Sequence, residues 1–157
     1  MVIATNVTRM LDAKGIPYRG LEIPNKKMNA LEVATYLEVP PEAVFKTIVA
    51  EREKQGKAIL ALVPATGEVD VKKLAKAAGE KKVAVTTLEK AEKLTGLRAG
   101  GISPLALLHK GFEVYLDTSA LGLDEIIISG GQWGLQIEIA PQDLMELTHA
   151  RSAEISA

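Results

Sequence analysis

The chain of 157 residues is 47% hydrophobic and 25% charged, a composition typical of one globular domain with a sizeable core. Its formal net charge of −1 argues against a protein that coats nucleic acid, and without a membrane-length apolar run or a signal-peptide pattern we expect a cytoplasmic protein. The absence of cysteine excludes disulfides, thiolate metal ligands and a cysteine nucleophile, and two histidines are too few for a histidine-rich metal site.

The first half of the chain predicts helices and strands in alternation. The first helix has an apolar stripe of Ile3, Val7, Met10 and Leu11. Two adjacent apolar segments separated by a turn at 54–57 predict an antiparallel pair of strands. The predicted elements are a helix capped by Thr5 or Asn6 that ends near Lys14, a short strand through Ile23, a helix capped by Asn29, and strands 44–50 and 58–63.

The second half continues the alternation and ends in a helix. The predicted elements are a helix from Asp70 to Gly79, a strand at 83–85, a helix that starts in the capping-box spacing of Thr86 and Glu89, strands 113–117, 126–129 and 135–139, and a helix from Pro141 to about His149. We expect one α/β (α+β) domain over residues 1–150 with a mixed sheet, followed by a frayed tail at 151–157.

The strand 44–50 is apolar on both faces but carries Lys46. Alternation places Phe45, Thr47 and Val49 on one face, and Lys46 with Ile48 on the other. Burying an ammonium costs several kcal/mol unless it is paired or reaches water, roughly the range measured for buried ions. Lys46 is therefore either a functional group in a cleft or a strand-end lysine that extends to solvent.

Two glycine-rich segments are further candidates for a functional site. Adjacent Gly100 and Gly101, followed by Ile102, Ser103 and Pro104, form a loop that either aims N–H groups at an anion or simply needs positive φ. The segment from Ser129 through Gly130 to Gly134 lies between two predicted strands, which favours a hairpin turn over a hydrolase serine or a P-loop.

The remaining polar residues are expected to be exposed to solvent. Gln136 and Glu138 occupy the polar face of their predicted strand, and we assign no role to His109 or His149. The three lysines of the third helix indicate a solvated face, with phosphate contact as the alternative; they are Lys72, Lys73 and Lys76.

The order of these motifs resembles the YbaK family of free-standing aminoacyl-tRNA editing proteins, which are related to the editing domain inserted in bacterial prolyl-tRNA synthetases. The resemblance covers nearly the whole chain, and the matching segments are specific when they are taken together in this order. The matching segments are Ile16-Pro17-Tyr18, Val44-Phe45-Lys46-Thr47, Gly100-Gly101-Ile102-Ser103-Pro104-Leu105, Ser129-Gly130-Gly131 with Gly134-Leu135, and Ala140-Pro141-Gln142-Asp143-Leu144.

The resemblance implies a curled, barrel-like, largely antiparallel sheet flanked by helices, and removal of a wrongly attached amino acid, with cysteine preferred, from tRNA(Pro). It implies no cofactor and no protein nucleophile, because the substrate's own thiol attacks the ester. Catalytic roles fall on Lys46, which would hold the terminal nucleotide or aminoacyl group, and on Gly101, whose N–H would receive the oxyanion. The implied substrate-binding residues are Tyr18, Met28, Thr47, Gly100, Ile102, Ser103, Ser129, Gly130 and Gln136.

Departures from the family pattern leave the substrate open. The segment around Met28 lacks the serine-aromatic-glycine run of many members, and Gln136 replaces an acidic residue that would bind the α-ammonium. Ala-tRNA(Pro) and other mischarged tRNAs are alternatives. So is a non-catalytic module that binds the tRNA acceptor end or prolyl-tRNA synthetase, since the near-neutral charge favours a partner that supplies tRNA affinity.

Overall fold

A computed structural model describes residues 4–157, so the predicted contribution of Ile3 to the first helix lies outside the described residues. Helices and strands alternate along the chain, as predicted. They are α1 (Asn6–Ala13), β1 (Tyr18–Glu22), α2 (Ala30–Leu37), β2 (Phe45–Arg52), β3 (Ile59–Pro64), α3 (Val71–Ala78), β4 (Val83–Val85), α4 (Leu88–Thr95), β5 (Glu113–Asp117), β6 (Ile126–Ser129), β7 (Leu135–Ile139), α5 (Pro141–Thr148) and β8 (Arg151–Ala153).

Side-chain caps fix where the helices begin. Thr5 and Asn29 each accept a hydrogen bond from the third helical residue, and Asp70 accepts from the amides of Lys72 and Lys73. The predicted capping box at Thr86 is wrong by one residue. Thr87 caps α4, because the Thr86 hydroxyl instead donates to the carbonyl of Val49 at 3.2 Å.

The strands form two sheets. β4-β2-β3-β5-β8 make a mixed sheet in which β2 pairs antiparallel with β3 and β4, while β5 lies parallel to β3 and β8. β1-β7-β6 make an antiparallel sheet. The sheets meet at one parallel bridge between Val44 and Ile127. The predicted single α/β domain with a mixed, largely antiparallel arrangement and flanking helices is confirmed, with its strands divided between two sheets.

The core lies on both faces of β2, as its sequence predicted. Phe45 and Val49 pack into a cluster with β6 and β7. Ile48 and Ala50 face the opposite way, against a second cluster that includes Leu74 of α3. No helix within residues 4–157 is long and apolar enough to cross a membrane.

The predicted frayed tail is wrong. β8 pairs with β5, and Ile155 is fully buried. The carboxylate of Asp117 accepts hydrogen bonds from the amides of Ile155 at 3.0 Å and Ser156 at 3.1 Å. Lys73 ties the same segment to α3, because its ammonium lies 2.8 Å from Glu154 and 3.0 Å from the carbonyl of Ser156. These side-chain anchors come from distant segments and leave no periodic signal in the tail itself.

Candidate functional site

The candidate site begins at an unpaired edge of β2. β4 pairs with β2 only at Ala50–Arg52, and the amide of Thr86 adds one hydrogen bond to the Val49 carbonyl at 3.0 Å. In an antiparallel strand, successive residues direct their backbone polar groups to opposite neighbours. The Val49 carbonyl points towards β4, so the N–H and C=O of Thr47 point to the same side. Within residues 4–157 no strand pairs with that part of the edge.

A cavity of about 240 Å³ fills the space between this edge and β6. Most of its wall is apolar, contributed by β2, by the start of α2 and by the glycine-rich loop before β5. The lining residues are Lys27, Met28, Asn29, Ala30, Val33, Val44, Phe45, Lys46, Thr47, Ile48, Leu88, Ala99, Gly100, Ile102, Ser129 and Gln136. Seven of the eleven predicted site residues are therefore brought together: Met28, Lys46, Thr47, Gly100, Ile102, Ser129 and Gln136.

Lys46 lines the cavity and is partly exposed to solvent. Its side chain is 24% exposed, and Nζ lies 3.1 Å from a carboxylate oxygen of Glu68, whose side chain is 80% exposed. The sequence left open whether Lys46 lies in a cleft or extends to solvent. In the structure the residue lines the cavity and its side chain also reaches solvent. Because the Glu68 carboxylate is largely exposed, this ion pair is weak, and the ammonium can exchange that partner for a ligand at small cost.

Gln136 is buried, contrary to the default of solvent exposure. It is 4% exposed because β7 is the central strand of its sheet, paired with β1 at Leu21 and with β6 at Ser129. Gln136 is also one of the residues that line the cavity. The hydroxyl of Thr47 is buried without a partner in the described part of the chain. The Thr47 hydroxyl is therefore available to a ligand, and its burial without a hydrogen-bond partner is costly when no ligand is bound.

The glycine-rich loop reaches the cavity through Gly100 and Ile102. Gly100 has φ +89, which favours glycine. The N–H of Gly101 donates to the carbonyl of Arg98 at 2.8 Å, and Gly101 does not line the cavity. A Cβ on Gly101 would lie 3.1 Å from Cα of Gln132, so glycine is needed there for close packing between loops. In this conformation the predicted Gly101 amide is not directed at a ligand.

Three other predicted substrate contacts lie away from this cavity. Ser103 is fully buried and caps a 3-10 turn by accepting from the Leu105 amide at 3.2 Å. Gly130 packs so closely on Leu135 that a Cβ would lie 2.6 Å from its Cγ. Tyr18 donates its hydroxyl to Asp12 at 2.8 Å; burial and this bond to the carboxylate raise the pKa of Tyr18. These residues shape the surrounding fold.

Sequence reasoning missed several lining residues, above all Lys27 and Leu88. Lys27 falls between the predicted strand that ends at Ile23 and the helix capped by Asn29, and nothing in the local sequence sets its ammonium apart. Leu88 is the first residue of α4 and is 61% exposed. An apolar residue at that position does not by itself predict that it lines a cavity. With Lys27 and Lys46, the lining carries two ammonium groups and no carboxylate. Such a cavity attracts phosphate oxygens and stabilises negative charge that develops on an ester.

Comparisons with known proteins agree with this geometry. Residues 25–147 match the family model of the aminoacyl-tRNA editing domain. An Enterococcus faecalis protein with the provisional name Cys-tRNA(Pro)/Cys-tRNA(Cys) deacylase EbsC is 38% identical over 97% of this chain and 93% of its own length. A proline–tRNA ligase of Moorella thermoacetica is 32% identical over 64% of this chain, but over only 17% of that ligase. A solved structure described as a provisional trans-editing enzyme for prolyl-tRNA synthetase superposes with TM-score 0.81, at 26% identity over 99% of both chains.

Proposed function

Because the chain belongs to the aminoacyl-tRNA editing domain family, we propose that it is a trans-acting aminoacyl-tRNA deacylase whose preferred substrate is Cys-tRNA(Pro). The observation that carries the proposal is the placement of Lys46, the unpaired edge at Thr47 and the Gly100 loop around one cavity of about 240 Å³. That volume suits an amino acid and part of a ribose. The likeness to a protein named as a Cys-tRNA(Pro)/Cys-tRNA(Cys) deacylase and to a trans-editing enzyme for prolyl-tRNA synthetase supports the choice of cysteine and of tRNA(Pro).

In the proposed mechanism, Lys46 binds the terminal ribose-phosphate and so positions the ester. The substrate thiol attacks the ester carbonyl carbon, and the resulting oxyanion is stabilised by backbone donors. We assign this role to the amides of Gly100 and Ile102, which make no hydrogen bond with described residues, because the Gly101 amide is committed to Arg98. Collapse expels the ribose oxygen, which takes the thiol's proton, and leaves a cyclic thiolactone. With alanine, water is the nucleophile.

The α-amino group of the substrate needs a partner, and no carboxylate lines the cavity. The backbone carbonyl of Thr47 and the side-chain oxygen of Gln136 are suited to accept its hydrogen bonds. The Thr47 hydroxyl, which has no partner among described residues, belongs to a residue that lines the same cavity. Substrate recognition would thus rest on hydrogen-bond acceptors rather than on an ion pair.

Affinity for tRNA is proposed to depend partly on prolyl-tRNA synthetase. Phosphate contacts dominate nucleic-acid affinity, and the formal net charge of −1 offers little general attraction. A synthetase that holds the tRNA body would leave the acceptor end to this protein. The match to a segment of a proline–tRNA ligase is consistent with such an association.

The test is a deacylation panel with Cys-tRNA(Pro), Ala-tRNA(Pro) and correctly charged Pro-tRNA(Pro). We expect the cysteinyl ester to be lost fastest and the prolyl ester to be lost little. S-methyl-cysteinyl-tRNA(Pro), whose thiol is blocked, should resist cleavage. Trapped thiolactone should appear only with the cysteinyl-tRNA whose thiol is unblocked. Stability of every ester would refute the proposed activity. Equal cleavage of the S-methyl substrate would refute the thiol mechanism alone.

A further inference from the structure

Arg98 and Trp133 contact each other beside the loop residues Ala99 and Gly100 that line the cavity. The guanidinium carbon of Arg98 lies 3.6 Å from the centre of the Trp133 ring. The indole N–H donates to the carbonyl of Ala99 at 2.9 Å, which fixes the plane of the ring. Arg98 is exposed, and Ala99 and Gly100 line the cavity. Arg98 therefore places a planar, cationic group on an exposed residue at the edge of the proposed active site.

Lys27 adds a second cation to the same rim. A Cβ on Gly100 would lie 3.3 Å from Cγ of Lys27 and 3.4 Å from the indole nitrogen of Trp133, so these side chains flank Gly100. Glu92 is the carboxylate held against this loop, and one of its oxygens accepts from the Ala99 amide at 2.8 Å. The rim formed by Lys27, Arg98 and Trp133, here named the cationic lip, is thus locally basic in a nearly neutral chain.

We propose that the cationic lip binds the nucleotide that precedes the terminal adenosine of the aminoacyl-tRNA, an inference that rests on the proposed function. Lys27 and Arg98 would contact its phosphodiester, and its base would stack on the guanidinium plane. Unpaired bases stack on aromatic rings and arginine planes, and cations supply the phosphate contacts. The cavity of about 240 Å³ is too small for more than the aminoacyl end, so the preceding nucleotide must lie on its rim.

The experiment compares two substrates, Cys-tRNA(Pro) and 3′-cysteinyl-adenosine, which lacks the preceding nucleotide. Loss of one stacked base or cation–π contact should raise KM for the tRNA roughly 10-fold in Arg98→Gln, with kcat unchanged. The KM for cysteinyl-adenosine should stay within about twofold, since its aminoacyl end contacts only the cavity. Arg98→Lys keeps the charge without the plane, and should recover part of the loss.

Salt dependence separates a phosphate contact from a structural effect. Removal of one contact to a single strand should reduce the slope of log(kcat/KM) against log[salt] by about 0.7 in Arg98→Gln and in Lys27→Gln. The matched control is Lys82→Gln. Lys82 precedes Val83, which pairs with Arg52 at the far end of β2, about 20 Å from Lys46 at a strand rise of roughly 3.3 Å per residue. This variant should leave both KM values and the slope unchanged.

The possible results separate a failure of this inference from a failure of the proposed function. An unchanged KM for Cys-tRNA(Pro) in folded Arg98→Gln, or an equal rise in KM for both substrates, would overturn the assignment of the lip. An unchanged salt slope would overturn the phosphate contact. If wild-type protein cleaved cysteinyl-adenosine but the lip variants behaved like wild type on tRNA, only this inference would fall. Failure of the wild type on both substrates would instead refute the proposed function.

Discussion

Lys46→Ala is the most direct test of the proposed chemistry. Two unit charges about 4 Å apart interact by about 1 kcal/mol in water and about 4 kcal/mol near a protein surface. With 24% of its side chain exposed, Lys46 lies closer to the second case. We therefore expect a loss of about 3 kcal/mol in transition-state stabilisation, which is a roughly 100-fold fall in kcat/KM. Single-turnover deacylation of Cys-tRNA(Pro), with protein in excess, measures it.

The ion pair with Glu68 provides the matched control. Glu68 is 80% exposed, so the pair contributes only about 0–1 kcal/mol to stability, and Lys46→Ala should unfold at nearly the wild-type denaturant concentration. Glu68→Gln keeps the ammonium and should change kcat/KM by less than about threefold. If Lys46→Ala stayed within threefold of wild type, or if Glu68→Gln were equally inactive, the assigned role of Lys46 would be wrong.

Three further predictions concern Asp117, Gly101 and Gln136. Burial alone would raise the pKa of Asp117, but hydrogen bonds from Ser119 and the tail amides outweigh it and lower the pKa; its stabilisation is therefore present above the unfolded pKa of about 3.9 and lost as pH falls below it. Urea unfolding should show Asp117→Asn destabilised by about 1–3 kcal/mol at pH 7, with the gap to wild type closing in acid. Gly101→Ala should lower stability by about 1–3 kcal/mol in thermal unfolding, since its Cβ meets the next loop's backbone, and an unchanged midpoint would contradict this packing. Gln136→Glu should lower KM for cysteinyl-adenosine about threefold by pairing with the α-ammonium, and Gln136→Leu should raise it.

The sequence predicted most elements because their signals are local. Caps at Thr5, Asn29 and Asp70 and the apolar strands around Lys46 depend on neighbouring residues only, and the structure has them where expected. Gln136 could not be placed this way. Its alternation with apolar neighbours is typical of a half-exposed strand, but burial follows from pairing with β1, more than a hundred residues earlier.

The glycine loop shows a similar limit of sequence reasoning. Two adjacent glycines predicted either amides aimed at an anion or a turn with positive φ, but which glycine lines the cavity depends on how the turn closes. The bond from the Gly101 amide to Arg98 commits one N–H and leaves Gly100, at φ +89, on the cavity wall. The spacing of residues within the turn does not show which glycine amide is hydrogen-bonded within the loop and which glycine lines the cavity.

The site exists because β4 stops early. Ala50 faces Val85, so each step back along β2 corresponds to one step forward from Val85, and Leu88 would face Thr47 if the strand continued. Thr87 caps α4 instead, and the chain turns into a helix at Leu88, whose side chain borders the cavity. A local helix-start signal thereby leaves the polar backbone groups of Thr47 without a strand partner in the described chain. Such groups are costly to bury alone, which makes this edge the natural place for a polar substrate to bind.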